Sequence, residues 1–418
     1  MPYALADIDV TEPLPDLTLG AAETGVAVLA RRDGRPVGFW MEALPGGTRL
    51  GEAVLAERIA KHTGPALVRE AIRDEVAPPA DAAPSASLTV AICTKDRPAW
   101  LKRCLRSVLD MAVPDGLAAP EIFVVDNASS DDRTRDVVRA MPGVRYAAEP
   151  RPGLDFARNR ALRDATGDWI AYLDDDVVVD WGWLGGLADA WREHPDAAAV
   201  TGLVLPYALE TPAQILFEAN GGFRRGFSKL RYHGPKLPGN PLYPVGAGIF
   251  GAGANMAFRR DVLLALGGFD EALDTGSPLP GGGDLDIFYR VLRAGHPLVY
   301  EPSALVFHEH RREMDALRRQ YESWGRGFMA FLDKVARTDP DQRPKVKAMR
   351  RWWFKHYSRQ LAKSVLGRHV LPPRMLLAEL QGARRGRSGE YDRSLQRTEA
   401  IRRRFADTPP GPVLEEQR

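Results

Sequence analysis

The stretch IAYLDDDVVVD, from Ile170 to Asp180, sets three consecutive acidic residues directly behind an apolar run that reads as a buried strand. Asp174 and Asp176, two apart on an extended segment, are expected to face one ligand while Asp175 faces the other side. Hard divalent cations prefer oxygen ligands, commonly one or two carboxylates completed by phosphates and water. The triplet therefore suits a Mg²⁺ or Mn²⁺ ion carrying a diphosphate, whose own charge the aspartates would otherwise repel. Asp96 and Asp126 close two earlier apolar runs in the same way. A solvated acidic loop accounts for any one of them; three strand ends delivering carboxylates to one rim point to a bound cation.

The elements that must hold these residues run from Leu88 to Asp176, where short apolar runs alternate with amphipathic segments. LTVAICT, EIFVVD, VRYAAE and DWIAYLDDD read as strands, and LDFARNRALRDAT as a helix. This βαβα order predicts an α/β, Rossmann-like domain with a mainly parallel sheet flanked by helices. In such sheets ligands bind beyond the carboxyl ends of the strands, where Asp96, Asp126 and the triplet fall.

The domain is expected over residues 88–312. Residues 1–75 read as a small α+β unit, because VAVLA and VGFW flank the hairpin signal Asp33-Gly34 and RLGEAVLAERIAKH has helical spacing. Residues 76–87, VAPPADAAPSAS, read as a linker; 313–405 read as a helical, basic extension and 406–418 as a disordered tail. From Arg311 onward there are 26 Lys+Arg against 13 Asp+Glu, although the whole chain is only +2, so an acidic body carries a basic end. A nucleic-acid-binding protein would spread basic residues through its main domain, and this body does not. No apolar run reaches the roughly 18 to 20 residues that cross a bilayer, and the N-terminus lacks the basic-then-apolar order of a signal peptide, so a cytoplasmic location is expected. Cys93 and Cys104 are too few for a disulfide framework and read as small buried hydrophobes.

Four segments, GLDFARNRAL, GDWIAYLDDD, GAGANMAFRRDVLLALGGFDEAL and GGGDLDIFYRVLRAG, closely resemble, in this order, the motifs of glycosyltransferase family 2, nucleotide-sugar enzymes with a GT-A fold. The likeness spans roughly Ser87 to His310. It implies that Thr94 and Asp96 line the nucleotide pocket and that Asp126 accepts a hydrogen bond from the base, a uracil or thymine in most relatives. Arg158 would lie beside the nucleotide or its diphosphate, and Asp174 would contact the ribose or the metal's water shell. Asp175 is placed with this donor-binding set. Asp176 would ligate a Mn²⁺ or Mg²⁺ ion, with His308 of VFHEHRR completing the shell. Gly253 and Asn255 would let backbone approach the donor sugar. Asp284 is the expected general base, although Gly283 stands where the family has an acid, and Lys95 stands where relatives often carry an aromatic residue.

A UDP- or dTDP-sugar donor, a saccharide or lipid-linked acceptor and an inverting single displacement follow as expectations of the likeness. A catalytically inactive nucleotide-sugar-binding homologue is the alternative. A nucleotidyltransferase fits less well, because CTKDRPAW offers no phosphate-cradling Gly-rich loop. In the basic extension, RPKVKAMRRWWFKHYSRQLAKSVL places Val346, Met349, Trp353, Tyr357 and Leu361 on one helical face. That stripe suits either an anionic membrane interface, with the protein peripheral on the inner face of the cell membrane, or packing against the catalytic domain.

Overall fold

The computed structural model describes residues 2–76, 86–276, 279–409 and 411–414. The expected linker falls almost wholly on residues 77–85, outside the described residues. Ahead of it, strands β1 (Ala4–Asp9), β2 (Gly25–Arg32) and β3 (Arg35–Ala43) form one sheet with β2 in the middle. Asp33 (φ 51°) and Gly34 (φ 78°) turn β2 into β3, the left-handed pair that a tight hairpin requires. Helix α1 (Glu52–Val76) buries Leu55 and Ile59, four residues apart on one face, against this sheet. The unit is tied to the main domain through Arg31, whose guanidinium bonds Asp180 at 2.6 Å.

The main domain continues as β4 (Leu88–Thr94), α2 (Pro98–Leu109), β5 (Glu121–Asn127), α3 (Arg133–Arg139), β6 (Val144–Glu149), α4 (Leu154–Asp164) and β7 (Trp169–Asp174). Next come β8 (Val177–Val179), α5 (Trp183–Glu193), β9 (Ala199–Pro206), α6 (Pro212–Ala219) and β10 (Leu230–Tyr232). It closes with β11 (Asn255–Arg259), α7 (Arg260–Ala265), α8 (Gly283–Arg293) and β12 (Leu298–His308). Among the described residues these strands make one nine-stranded sheet, in the order β8-β12-β9-β11-β7-β4-β5-β6, with β10 paired to β12. Strands β4 to β7 are mutually parallel, and so are β9 and β12; β11 lies between the two groups, antiparallel to both neighbours. All seven residues of β4 are buried, as a strand covered by helices on both faces must be. Leu101, Cys104, Leu105 and Val108 on α2 repeat at helical spacing and close one of those faces.

The basic extension is helical: α9 (Met314–Thr338), α10 (Arg343–Val365), α11 (Pro373–Arg387) and α12 (Glu390–Arg404). Val346, Met349 and Trp353 of α10 are buried in the main core, with Tyr357 packed partly against it. The apolar stripe is therefore a packing face, and the membrane reading of those residues is corrected: protein, not lipid, covers them. No helix among the described residues is long and apolar enough to cross a membrane. The tail also differs from expectation, because Leu414 exchanges backbone hydrogen bonds with Tyr146 on β6 at 2.8 and 3.3 Å, extending the sheet edge by a bridge.

Candidate active site

Parallel pairing sets the strand ends side by side: Thr94 is opposite Asp126, and Cys93 opposite Asp174. The strand that carries the acidic triplet ends at Asp174, and the chain then turns through Asp175 and Asp176 before β8. The turn, rather than strand alternation, brings Asp174 and Asp176 to one side. On β12, His308 pairs with Val177, the residue after Asp176, so the imidazole arrives beside the turn from a segment 132 positions further along the chain. One ligand atom from each of Asp174, Asp176 and His308 lies within 4.8 Å of the others.

Two features of this cluster call for a cation. Asp176 Oδ1 is buried and has no hydrogen-bond partner among the described residues, yet it stands 3.3 Å from His308 Nε2. Burial also pushes the charges the wrong way for an empty site: it raises Asp176, and Asp174, whose carboxylate sits among enclosed groups although 37% of its side chain meets solvent, is lifted to about 6 with help from the neighbouring Asp176 charge. His308 is driven down to about 3 by burial, which keeps the imidazole neutral, the form that ligates a metal. Two carboxylate oxygens and one neutral nitrogen fit a divalent ion, and the nitrogen suits Mn²⁺ better than Mg²⁺.

The other expected residues divide. Asp175 is buried, accepts from Thr94 Oγ1 at 2.6 Å and from Arg97 Nη1 at 3.0 Å, and so secures the turn to β4 instead of facing the cleft with the donor-binding set. Thr94 spends its hydroxyl in the same contact. Asp96 is exposed at the rim with φ 55° and accepts from Ser130 N and Oγ at 2.7 and 2.9 Å. Asp126 is buried, which raises its pKa, and both its oxygens are engaged, one by Ser129 Oγ and one by Tyr146 Oη at 2.9 Å. Asn255 does not reach the cleft; its amide clamps Leu203 O and Ala304 O at 3.1 and 2.7 Å and accepts from Trp183 Nε1 at 3.0 Å.

Arg158, on α4, is 4% exposed and joins the cation cluster to the second chemical centre. It lies 3.1 Å from Asp155, 3.5 Å from Asp274 and 3.8 Å from Asp174. Asp284, at the start of α8, accepts from Gly253 N at 3.2 Å and from Leu285 N at 2.8 Å. A Cβ on Gly253 would stand 3.2 Å from Asp284 Cβ and 3.3 Å from Arg158 Nη2, so the glycine is what lets these groups meet. Gly283 is explained likewise: a Cβ there would fall 2.2 Å from Asp155 Oδ2 and 2.9 Å from Asp274 Oδ2. Two aspartates from other elements already fill the space. Burial raises both, Asp155 to about 7, and Asp155 Oδ2 has no partner among the described residues. Asp286 pairs with Arg290 and Lys334 at 2.7 and 2.6 Å, a structural role. Arg97, Asp155 and Asp274 were not singled out by the sequence reading; only Asp155 carried a local signal, three residues before Arg158 on one helix.

The described residues thus form a mainly parallel sheet flanked by helices, with an acidic turn and an imidazole at the carboxyl rim of its strands. Residues 89–265 match the family described as Glycosyl transferase family 2. Among curated relatives, the pre-mycofactocin glycosyltransferase of Mycobacterium tuberculosis is 27% identical over 228 residues, 54% of this chain and 43% of that protein. The succinoglycan biosynthesis protein ExoM of Rhizobium meliloti is 31% identical over 224 residues, 52% of this chain and 65% of that protein. The chain thus spans less than half the length of the first of these relatives. Among solved structures, the mannosyltransferase PcManGT from Pyrobaculum calidifontis, in complex with GDP-Man and Mn²⁺, superposes with TM-score 0.43 at 20% identity, covering 84% of this chain and 91% of that one.

Proposed function

We propose that the protein is a metal-dependent, inverting glycosyltransferase that moves a sugar from a nucleoside-diphosphate sugar to a hydroxyl acceptor in glycan or glycolipid biosynthesis. The observation that carries this reading is the unserved Asp176 Oδ1 facing the neutral His308, at the strand edge of a domain that matches family 2. Asp174, Asp176 and His308 would hold Mn²⁺ or Mg²⁺, which supplies charge neutralisation to the departing diphosphate. Asp284 receives the proton of the acceptor hydroxyl, whose oxygen attacks the anomeric carbon as the bond from that carbon to the diphosphate breaks. One displacement without a carboxylate nucleophile inverts the configuration. Gly253 N and the first turn of α8 hold Asp284 in place, and Arg158 spans from its neighbourhood to Asp174.

The likeness to family 2 favours a uracil or thymine base and hence a UDP- or dTDP-sugar, with Asp126 accepting from the base through a lone pair that Ser129 and Tyr146 leave free. For the acceptor, a groove of about 640 Å³, lined by Ala336, Val346 and Phe354 and by Arg343, Lys347, Arg350, Arg351 and Arg387, supports a phosphate-bearing, lipid-linked saccharide. Filling of the Gly283 space by Asp155 and Asp274 speaks against an inactive homologue. A panel of nucleotide sugars, screened by thermal shift with and without Mn²⁺, tests the reading, since a ligand of the native state raises the melting temperature. In Asp284→Asn the donor shift is expected to persist while release of nucleoside diphosphate is lost; loss of neither leaves the base assignment without support.

A further inference from the structure

Behind His308 the hydrogen bonding continues inward, away from the cleft. His308 Nδ1 lies 3.1 Å from His310 Nδ1, and His310 Nε2 lies 2.8 Å from Glu218 Oε1 on α6. Arg224 Nε stands 3.3 Å from the other Glu218 oxygen, a charge that matches an ionised carboxylate. Glu218 has no exposed surface, and His308 and His310 are 7% and 2% exposed. Phe223 sets its ring edge-on to His308 at 5.1 Å, and Phe217 to His310 at 4.7 Å, so water is kept from the relay.

The proton positions follow from what each atom can do. An ionised carboxylate only accepts, so His310 Nε2 carries the hydrogen. Two ring nitrogens 3.1 Å apart share one hydrogen; with His310 Nε2 donating to Glu218, its Nδ1 is the acceptor and that hydrogen belongs to His308 Nδ1. His308 Nε2 is left with its lone pair, 3.3 Å from the Asp176 Oδ1 that has no hydrogen-bond partner among the described residues. Two acceptors at that distance with no proton between them repel each other, and a cation placed with them removes the repulsion.

We infer that Glu218 and His310 are positioning residues that lock His308 in its Nδ1–H tautomer and aim the Nε2 lone pair at the ion shared with Asp174 and Asp176. The inference rests on the cation reading of the site proposed above and adds two residues to it, neither of which touches the ion. A carboxylate or carbonyl behind a ligating imidazole fixes its ring orientation and raises its basicity, and losing such a partner weakens metal affinity by roughly 10- to 100-fold.

Long-range ¹H–¹⁵N NMR of the metal-free protein with ¹⁵N-labelled histidine tests the tautomer directly, His308 and His310 being assigned by single substitution. The expected spectrum shows His308 protonated at Nδ1 and His310 at Nε2; His308 protonated at Nε2 overturns the inference, whatever the variants do. Mn²⁺ titration followed by its free-ion EPR signal then compares the full-length protein with Glu218→Gln and His310→Phe, each checked for unchanged far-ultraviolet circular dichroism. The dissociation constant is expected to rise by about 10- to 100-fold in both. Equal affinity in the folded variants overturns the relay and leaves the metal site standing. Absence of Mn²⁺ binding by the unsubstituted protein removes the metal site itself, a separate failure.

Discussion

Two groups of carboxylates lie on either side of Arg158, and they are neutralised in different ways. Asp155 and Asp274 are buried and share the guanidinium itself, a cation tethered to the same chain. Asp174 and Asp176 have only distant help: Arg158 is 3.8 Å from the first, and Arg97, 42% exposed at its side chain, is 3.4 Å from the second. The Asp174 side chain is still 37% open to solvent, and one oxygen of Asp176 has no hydrogen-bond partner among the described residues. A carboxylate buried with its own arginine holds a scaffold together. A carboxylate left short of positive charge at an open rim can take an ion from solution and release it again.

This contrast can be broken from the scaffold side first. Arg158→Met is expected to strip both buried aspartates of their counter-charge at a cost of about 3 to 5 kcal/mol, read as a lower midpoint in urea. On the open side, Asp176→Asn is expected to leave folding intact and to reduce transfer by roughly 100- to 1000-fold, the worth of several kcal/mol of charge stabilisation, measured as nucleoside diphosphate released with saturating Mn²⁺. A smaller effect is expected at Gly283→Ala, whose added methyl meets Asp155 Oδ2 and costs about 1 to 3 kcal/mol. Combining it with Asp155→Ser should cost less than the two single changes together, because the clash they share disappears.

Another buried carboxylate sharpens the comparison because no cation among the described residues pairs with it. Glu379 on α11 is hydrogen-bonded to Tyr357, and burial pushes it up to about 8. Its folded pKa lies above the unfolded one, so the stability it contributes is complete below about pH 4.5 and declines as pH rises toward 8. The slope is at most about 1.4 kcal/mol per pH unit. Thermal melts at pH 5 to 8 should therefore fall less steeply for Glu379→Gln than for the unsubstituted protein.

Much of the cation side was legible in the sequence. Strands β4 to β7 are short apolar runs with turn residues between them, a local pattern, and their carboxyl ends had to share an edge once the pairing was parallel. The convergence of His308 on Asp176 was not legible from spacing, because it depends on β8 pairing back onto β12; only the family likeness pointed to it. The scaffold side was less visible still. Asp274 reaches Arg158, and Glu218 reaches His310, from segments separated by several intervening strands and helices, which leaves no periodic trace. The antiparallel strand β11 was missed because five residues opening on an asparagine carry little strand signal. Periodicity on α10 announced that one face is covered, but a hydrophobic stripe does not say whether protein or lipid covers it.

The central claim is that Asp174, Asp176 and His308 hold a divalent ion. A crystal of the protein soaked in Mn²⁺, with anomalous differences collected near the manganese edge, tests it most directly. The account predicts one strong peak in contact with all three side chains. A featureless map at that place, with Asp176 turned fully onto Arg97, would contradict it.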